Sequence, residues 1–249
     1  MELNTIKHIG KSELVNMGPI QLHQPIPSTR IESADPFVLL HHYGPYEINN
    51  DNNPFDLGPH PHRGFEPITF LIQGEQLHRD SLGNESVVKS GDVQWTTAGR
   101  GIIHSEGPTK TFVEKGGTLE GIQLWINLPS EKKMMQPKYQ HLVSNEINKI
   151  SFDNDKVLVQ LIAGELNNQE GKITTQTPVN AFMIDLESNG ELLIPIKQSH
   201  QSILYLLNGA VTVNNKVNLR HAEDQIIQFN QDGDHIKVFA NEKSKVLFL

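Results

Sequence analysis

Apolar residues along this chain recur in short runs, and within the runs they alternate with polar ones at a period of two. In the first half the clearest are Pro67 to Ile72, Gly91 to Thr96 and Leu119 to Leu128. In the second half they are Val157 to Ala163, Ala181 to Leu186, Ser202 to Leu207, Val211 to Val213 and Lys245 to Leu249. Runs this short read as strands. Turn-forming clusters separate them: Gly74-Glu75, Leu82-Gly83-Asn84, Ser90-Gly91-Asp92, Ser188-Asn189-Gly190 and Asn208-Gly209. The spacing predicts an all-β protein of the sandwich or barrel kind. One stretch, Glu131 to His141, reads as helical, with Pro137 interrupting or bounding it.

The pattern also repeats. Phe70-Leu71-Ile72-Gln73-Gly74-Glu75 resembles Leu204-Tyr205-Leu206-Leu207-Asn208-Gly209-Ala210: an apolar strand, a glycine turn, a second strand. An acidic turn follows in each half, Gly91-Asp92-Val93 and Ala222-Glu223-Asp224. Two copies of one barrel are therefore expected, an N-terminal one over residues 1–135 and a C-terminal one over 145–249.

Composition narrows the chemistry. The 249 residues contain no Cys, which excludes disulfides, thiolate nucleophiles, iron–sulfur clusters and Cys-based zinc sites. With 21 Lys and Arg against 29 Asp and Glu the formal net charge is -8, and the basic residues are scattered, so direct nucleic-acid binding is not expected. The first residues lack a basic-then-apolar signal pattern, and no apolar run reaches the roughly 18 residues of a membrane helix. A cytoplasmic protein that does not engage membranes is expected.

Most of the 12 His stand alone: His8, His23, His78, His141, His200, His221 and His235 read as surface or hydrogen-bonded residues. His41-His42 point to opposite faces of an extended chain, so at most one looks inward. Two clusters differ. Gly58-Pro59-His60-Pro61-His62-Arg63-Gly64-Phe65-Glu66 and Gly99-Arg100-Gly101-Ile102-Ile103-His104-Ser105-Glu106 lie within about 45 residues of each other, beside Gly-rich turns. Residues two apart on a strand share a face, so His60 projects with His62, and His104 with Glu106. If the strands are neighbours, three imidazoles and a carboxylate converge. That set suits Fe, Mn, Ni, Cu or Zn as divalent ions and leaves two positions of an octahedral ion open. Glu66 has the same parity as His60 and His62 and competes with Glu106 on spacing alone. Pro61, lacking an amide, marks an edge or irregular strand.

These strings resemble the pirin family. His60-Pro61-His62-Arg63-Gly64-Phe65-Glu66, His78-Arg79-Asp80-Ser81-Leu82-Gly83 and the segment Gly91-Asp92-Val93-Gln94-Trp95-Thr96-Thr97 through His104-Ser105-Glu106 carry the likeness. Asp35-Pro36-Phe37-Val38-Leu39-Leu40 and Gln123-Leu124-Trp125-Ile126-Asn127-Leu128-Pro129 extend it across the first half; the second half matches in general layout. The resemblance implies two cupin (jelly-roll-type) β-barrels in one chain, and metal ligation by His60, His62, His104 and Glu106. It selects Glu106 over Glu66, which becomes either a residue supporting the ligands from behind or a pocket residue. The chain departs from the family at His41-His42, where an acidic residue is common, and at Pro67. The C-terminal barrel offers only His200 near the corresponding strand, so a degenerate barrel without metal is expected.

The likeness further implies a pirin-like dioxygenase of the quercetin 2,3-dioxygenase type, opening a flavonol with dioxygen and releasing carbon monoxide, with Glu106 as the catalytic base. One divalent transition metal is expected, Fe(II) first, with Cu, Ni, Mn, Zn and Co as alternatives. A second reading is a non-enzymatic, iron- or redox-sensing co-regulator with a protein partner. A third, a sugar-phosphate isomerase, would need Arg63, Arg79 and Arg100 in the pocket.

Overall fold

The computed structural model describes residues 2–221, 223 and 225–249, and is almost entirely strand. Ala222 and Asp224 of the second acidic turn lie outside the described residues. No helix among those described is long and apolar enough to cross a membrane.

Two compact units form. One comprises Glu13–Pro27 and Asp35–Glu146; the other comprises the N-terminal segment ending at Ser12, together with Ser28–Ala34 and Ile147–Leu249. The division is thus more than a single cut in the linker. Strand Ile6–Gly10 pairs antiparallel with Ile226–Phe229, which puts the start of the chain in the sheet of its second half.

Each unit has one seven-stranded and one four-stranded antiparallel sheet, and the second adds a two-stranded ribbon, Glu165–Leu166 with Gln169–Glu170. In the first unit the larger sheet runs Lys138–Leu142, Val93–Thr97, Phe65–Gln73, Gly117–Asn127, Phe37–Ile48, Ile20–Ile26, Glu13–Met17. The smaller runs Leu57–His62, Ile102–Pro108, Glu75–Asp80, Glu85–Lys89. The second unit's larger sheet runs Ile6–Gly10, Ile226–Phe229, Ile203–Asn208, Ser244–Phe248, Ala181–Leu186, Val157–Ala163, Asn148–Phe152. Its smaller sheet runs Glu191–Pro195, His235–Ala240, Ala210–Val213, Val217–Arg220. The orders correspond except at one edge of the large sheets, where Lys138–Leu142, the last strand of the first unit, matches Ile6–Gly10, the first strand of the chain; the repeat is one of topology for the other strands. The glycine turns that revealed it, Gly74 and Gly209, have φ of 94 and 85, a region open to glycine at little cost.

The helix expected over Glu131 to His141 does not form. Ser130–Lys132 makes a single 3-10 turn, and Lys138–Leu142 is a strand paired with Val93–Thr97. Pro137 explains the switch, because it cannot donate to a preceding carbonyl and disfavours helical geometry in the residue before it. A different segment, Lys110–Lys115, is α-helical; the Thr109 Oγ1 accepts from the Phe112 amide at 3.1 Å and Gly116 closes it.

Candidate metal centre

The centre lies inside the first barrel, where the small sheet faces the large one. Along Ile102–Pro108, Ile102, His104 and Glu106 are buried and Ile103 is exposed, the alternation a one-sided strand requires. The neighbouring strand Leu57–His62 pairs His60 with His104 and His62 with Ile102, so both histidines share the inward face. That strand is the outer one of its sheet, where Pro61 is tolerated. On the other side Glu75–Asp80 pairs His78 with Glu106.

The inward side chains meet. Ring centroids are 4.4 Å apart for His60 and His104, 4.7 Å for His62 and His104, and 4.9 Å for His60 and His62. The donor atoms of His60, His62 and His104 all lie within 4.8 Å of one another, and so do those of His78, His104 and Glu106. The four expected residues thus occupy one corner of the barrel as two overlapping groups that share His104; Glu106 Oε1 is 4.0 Å from His104 Nδ1.

Burial and hydrogen bonding decide which ring nitrogens of these histidines are left without a partner. His60 Nδ1 donates to the Gly58 carbonyl at 2.9 Å, which keeps the proton there and frees the Nε2 lone pair. His62 Nε2 and both ring nitrogens of His104 are buried without a hydrogen-bond partner among the described residues. Burial, reinforced by His104 and His60 and opposed by Glu106, lowers the His62 pKa to about 4. Burial again, then His60 and His78, lowers His104 to about 3. Both imidazoles are uncharged at neutral pH, the form a metal takes. An orphaned buried polar atom costs roughly 1–3 kcal/mol, which an ion bound by these lone pairs would offset. The residues present therefore fit a metal ion, and this His and Glu group is one that can hold one.

Glu106 is held from the opposite sheet: Gln94 Nε2, which also bonds Thr69 Oγ1, donates to Oε1, and Gln123 Nε2 lies 3.5 Å from Oε2. Next to His62, Phe65 and Trp125 stack on each other at 4.4 Å, and Trp125 lies 5.4 Å from the His62 ring.

Other expectations fare differently. Glu66 is fully buried but takes hydrogen bonds from Trp95 Nε1 at 3.1 Å and Thr97 Oγ1 at 2.6 Å. Its parity is opposite to Thr69, so it faces away from the histidines. Of the paired histidines, His41 shares the face of Gln123 across the ladder and bonds Gln24 at 2.7 Å, whereas His42 turns away to Glu120. Arg63, Arg79 and Arg100 are all exposed; Arg63 contacts Met134 Sδ and Arg79 pairs with Glu85, so they form no anion pocket beside the histidines. His78, expected to be a solitary residue, is buried against the centre. The signal for it was His78-x-Asp80, two same-face residues on a strand of alternating burial.

Two antiparallel double-sheet barrels in one chain, with the histidines gathered inside the first, define a bicupin. The Pirin family profile matches residues 20–126. Pirin-1 of Arabidopsis thaliana is 34% identical over 217 residues, covering 86% of this chain and 69% of that protein. The crystal structure of quercetin 2,3-dioxygenase from Acinetobacter baumannii superposes with a TM-score of 0.90 at 32% identity, covering 99% of this chain and 86% of that one. The bacterial pirin YhhW from Escherichia coli, solved with nickel(II), shares the fold at a TM-score of 0.75 and 19% identity, covering 98% and 97%. The chain belongs to the pirin family.

Proposed function

We propose that this protein is a metal-dependent dioxygenase of the quercetin 2,3-dioxygenase type, which opens a flavonol with dioxygen and releases carbon monoxide. The observation that carries the reading is the set of buried, uncharged and unpartnered imidazole nitrogens of His62 and His104 beside His60 and a fixed Glu106. His60, His62, His104 and Glu106 are the proposed ligands, with Fe(II) the expected ion. The likeness to the Acinetobacter baumannii enzyme supports the choice of substrate.

When bound, the ion supplies Lewis acidity and a template for a substrate oxygen, a contribution of several kcal/mol. The chain supplies the rest. Phe65 and Trp125 present a flat face against which a planar aromatic substrate stacks. Glu106, oriented by Gln94 and Gln123, takes the proton of the flavonol 3-hydroxyl, leaving an electron-rich enolate that reacts with dioxygen at C2.

The second barrel is proposed to hold no metal. Aligned on the Gly74 and Gly209 turns and the strand registers, His60, His62, His78, His104 and Glu106 correspond to Ile194, Ile196, Val213, Ile236 and Val238. All five are buried in that barrel's apolar core.

A Glu106→Gln variant keeps the side-chain volume but loses the base. Fe(II)-loaded Glu106→Gln is expected to retain bound metal and lose turnover of quercetin by about 100-fold or more. Unchanged turnover would remove Glu106 from the chemistry.

A further inference from the structure

His78 lies outside the proposed four-ligand set, yet its surroundings are those of a metal ligand. It is 1% exposed, and its Nδ1 is buried with no hydrogen-bond partner among the described residues. A ring nitrogen of His78 lies within 4.8 Å of donor atoms of His104 and Glu106, and the His78 and His104 rings are 5.4 Å apart. The other nitrogen, Nε2, donates to Asp80 Oδ2 at 3.1 Å. Asp80 is fixed in turn, accepting from the Leu82 and Asn84 amides and from Asn84 Nδ2 at 2.9, 3.0 and 2.8 Å. Tyr139 stacks on the His78 ring at 4.2 Å and 8°, which fixes the ring plane.

A carboxylate that takes one ring N–H and leaves the other ring nitrogen unpaired, on a histidine packed among further donors, is the arrangement that orients metal-bound histidines. A histidine kept only for packing would leave Nδ1 unsatisfied at a cost of roughly 1–3 kcal/mol. The second barrel fills the matching position with Val213, in the same set of replacements that removes the other donors.

We propose that His78, set by Asp80, is a fifth donor to the metal centre, acting through Nδ1 from the side of His104 and Glu106. The inference rests on the metal-centre reading above. With five donors, the centre has one fewer position for exogenous ligands than a four-ligand set would leave.

The test is Co(II) titration of the metal-free full chain, followed by its visible d–d absorption and by calorimetry. His78→Phe retains the ring that stacks on Tyr139 and removes the donor; Asp80→Asn retains a hydrogen-bonding side chain and removes the charge. The wild type is expected to bind one Co(II). His78→Phe is expected to bind it about 10- to 100-fold more weakly with an altered band, and Asp80→Asn to fall between. Wild-type affinity and an unchanged band in His78→Phe would overturn the proposal while leaving the metal centre standing. No Co(II) binding by the wild type would overturn both. If His78→Phe does not fold, 15N-histidine spectra of the Zn(II)-loaded wild type decide: four metal-shifted imidazoles support the proposal and three overturn it.

Discussion

Glu66 shares strand parity with His60 and His62, and Glu106 with His104, yet the fold sends the two carboxylates to different surroundings. Strand Leu57–His62 ends before Gly64, whose φ of 79 turns the chain into the large sheet at Phe65. Parity does not carry through such a turn, so spacing alone left the carboxylates equal and the register separates them. The histidines were legible in the sequence because each pair sits on one uninterrupted strand. His78 was missed because its partners, His104 and Glu106, lie on a strand more than twenty residues away, where only pairing reveals them. At this scale the buried imidazoles also set a pH dependence. His62 and His104 have folded pKa values of about 4 and about 3, below the usual histidine value of about 6.5 in an unfolded chain. Between those values the unfolded chain binds more protons, so stability rises with pH. The metal-free protein is therefore expected to lose melting temperature as pH falls from 7 to 4, and a His62→Leu/His104→Leu double variant to lose less over the same range. Equal pH slopes in a calorimetric scan would contradict the burial argument.

Most strands were legible as elements, because alternation and Gly, Asn and Asp turns mark half-buried antiparallel strands clearly. Val157–Ala163 and Ala181–Leu186 fall where the pattern puts them. The two helical errors have opposite causes. Glu131 to His141 carries helix-forming residues, but Pro137 and pairing to Val93–Thr97 decide in favour of a strand. Lys110–Lys115 is too short to show a period, and its capping residues define it instead. That helix depends on Thr109, which also donates to Glu75. Thr109→Ala is expected to cost about 1 kcal/mol in chemical denaturation, with a range of 0.5–2; no change in the midpoint would mean that packing alone holds the helix.

Two barrels of closely matching sheet order differ inside: histidine, glutamine and carboxylate side chains line part of the first, and aliphatic side chains fill the matching positions of the second. The glycine turns are shared because backbone geometry requires them, whereas the interior residues differ; the sequence therefore showed the repeat only faintly. The C-terminal core works as packing. Ile236→Ala is expected to lower stability by about 2–5 kcal/mol and to leave metal content at one ion per chain by elemental analysis. A fall in metal content without a change in stability would place an ion in the second barrel.

The central claim is that the first barrel's histidines and Glu106 support dioxygenase chemistry. Its most direct test is aerobic turnover of quercetin by anaerobically Fe(II)-loaded protein, with carbon monoxide measured as it forms and His62→Ala as the control. The account predicts carbon monoxide release coupled to quercetin loss, dependent on metal and abolished in His62→Ala. No release from stoichiometrically loaded wild type, repeated with Cu, Ni and Mn, would contradict it.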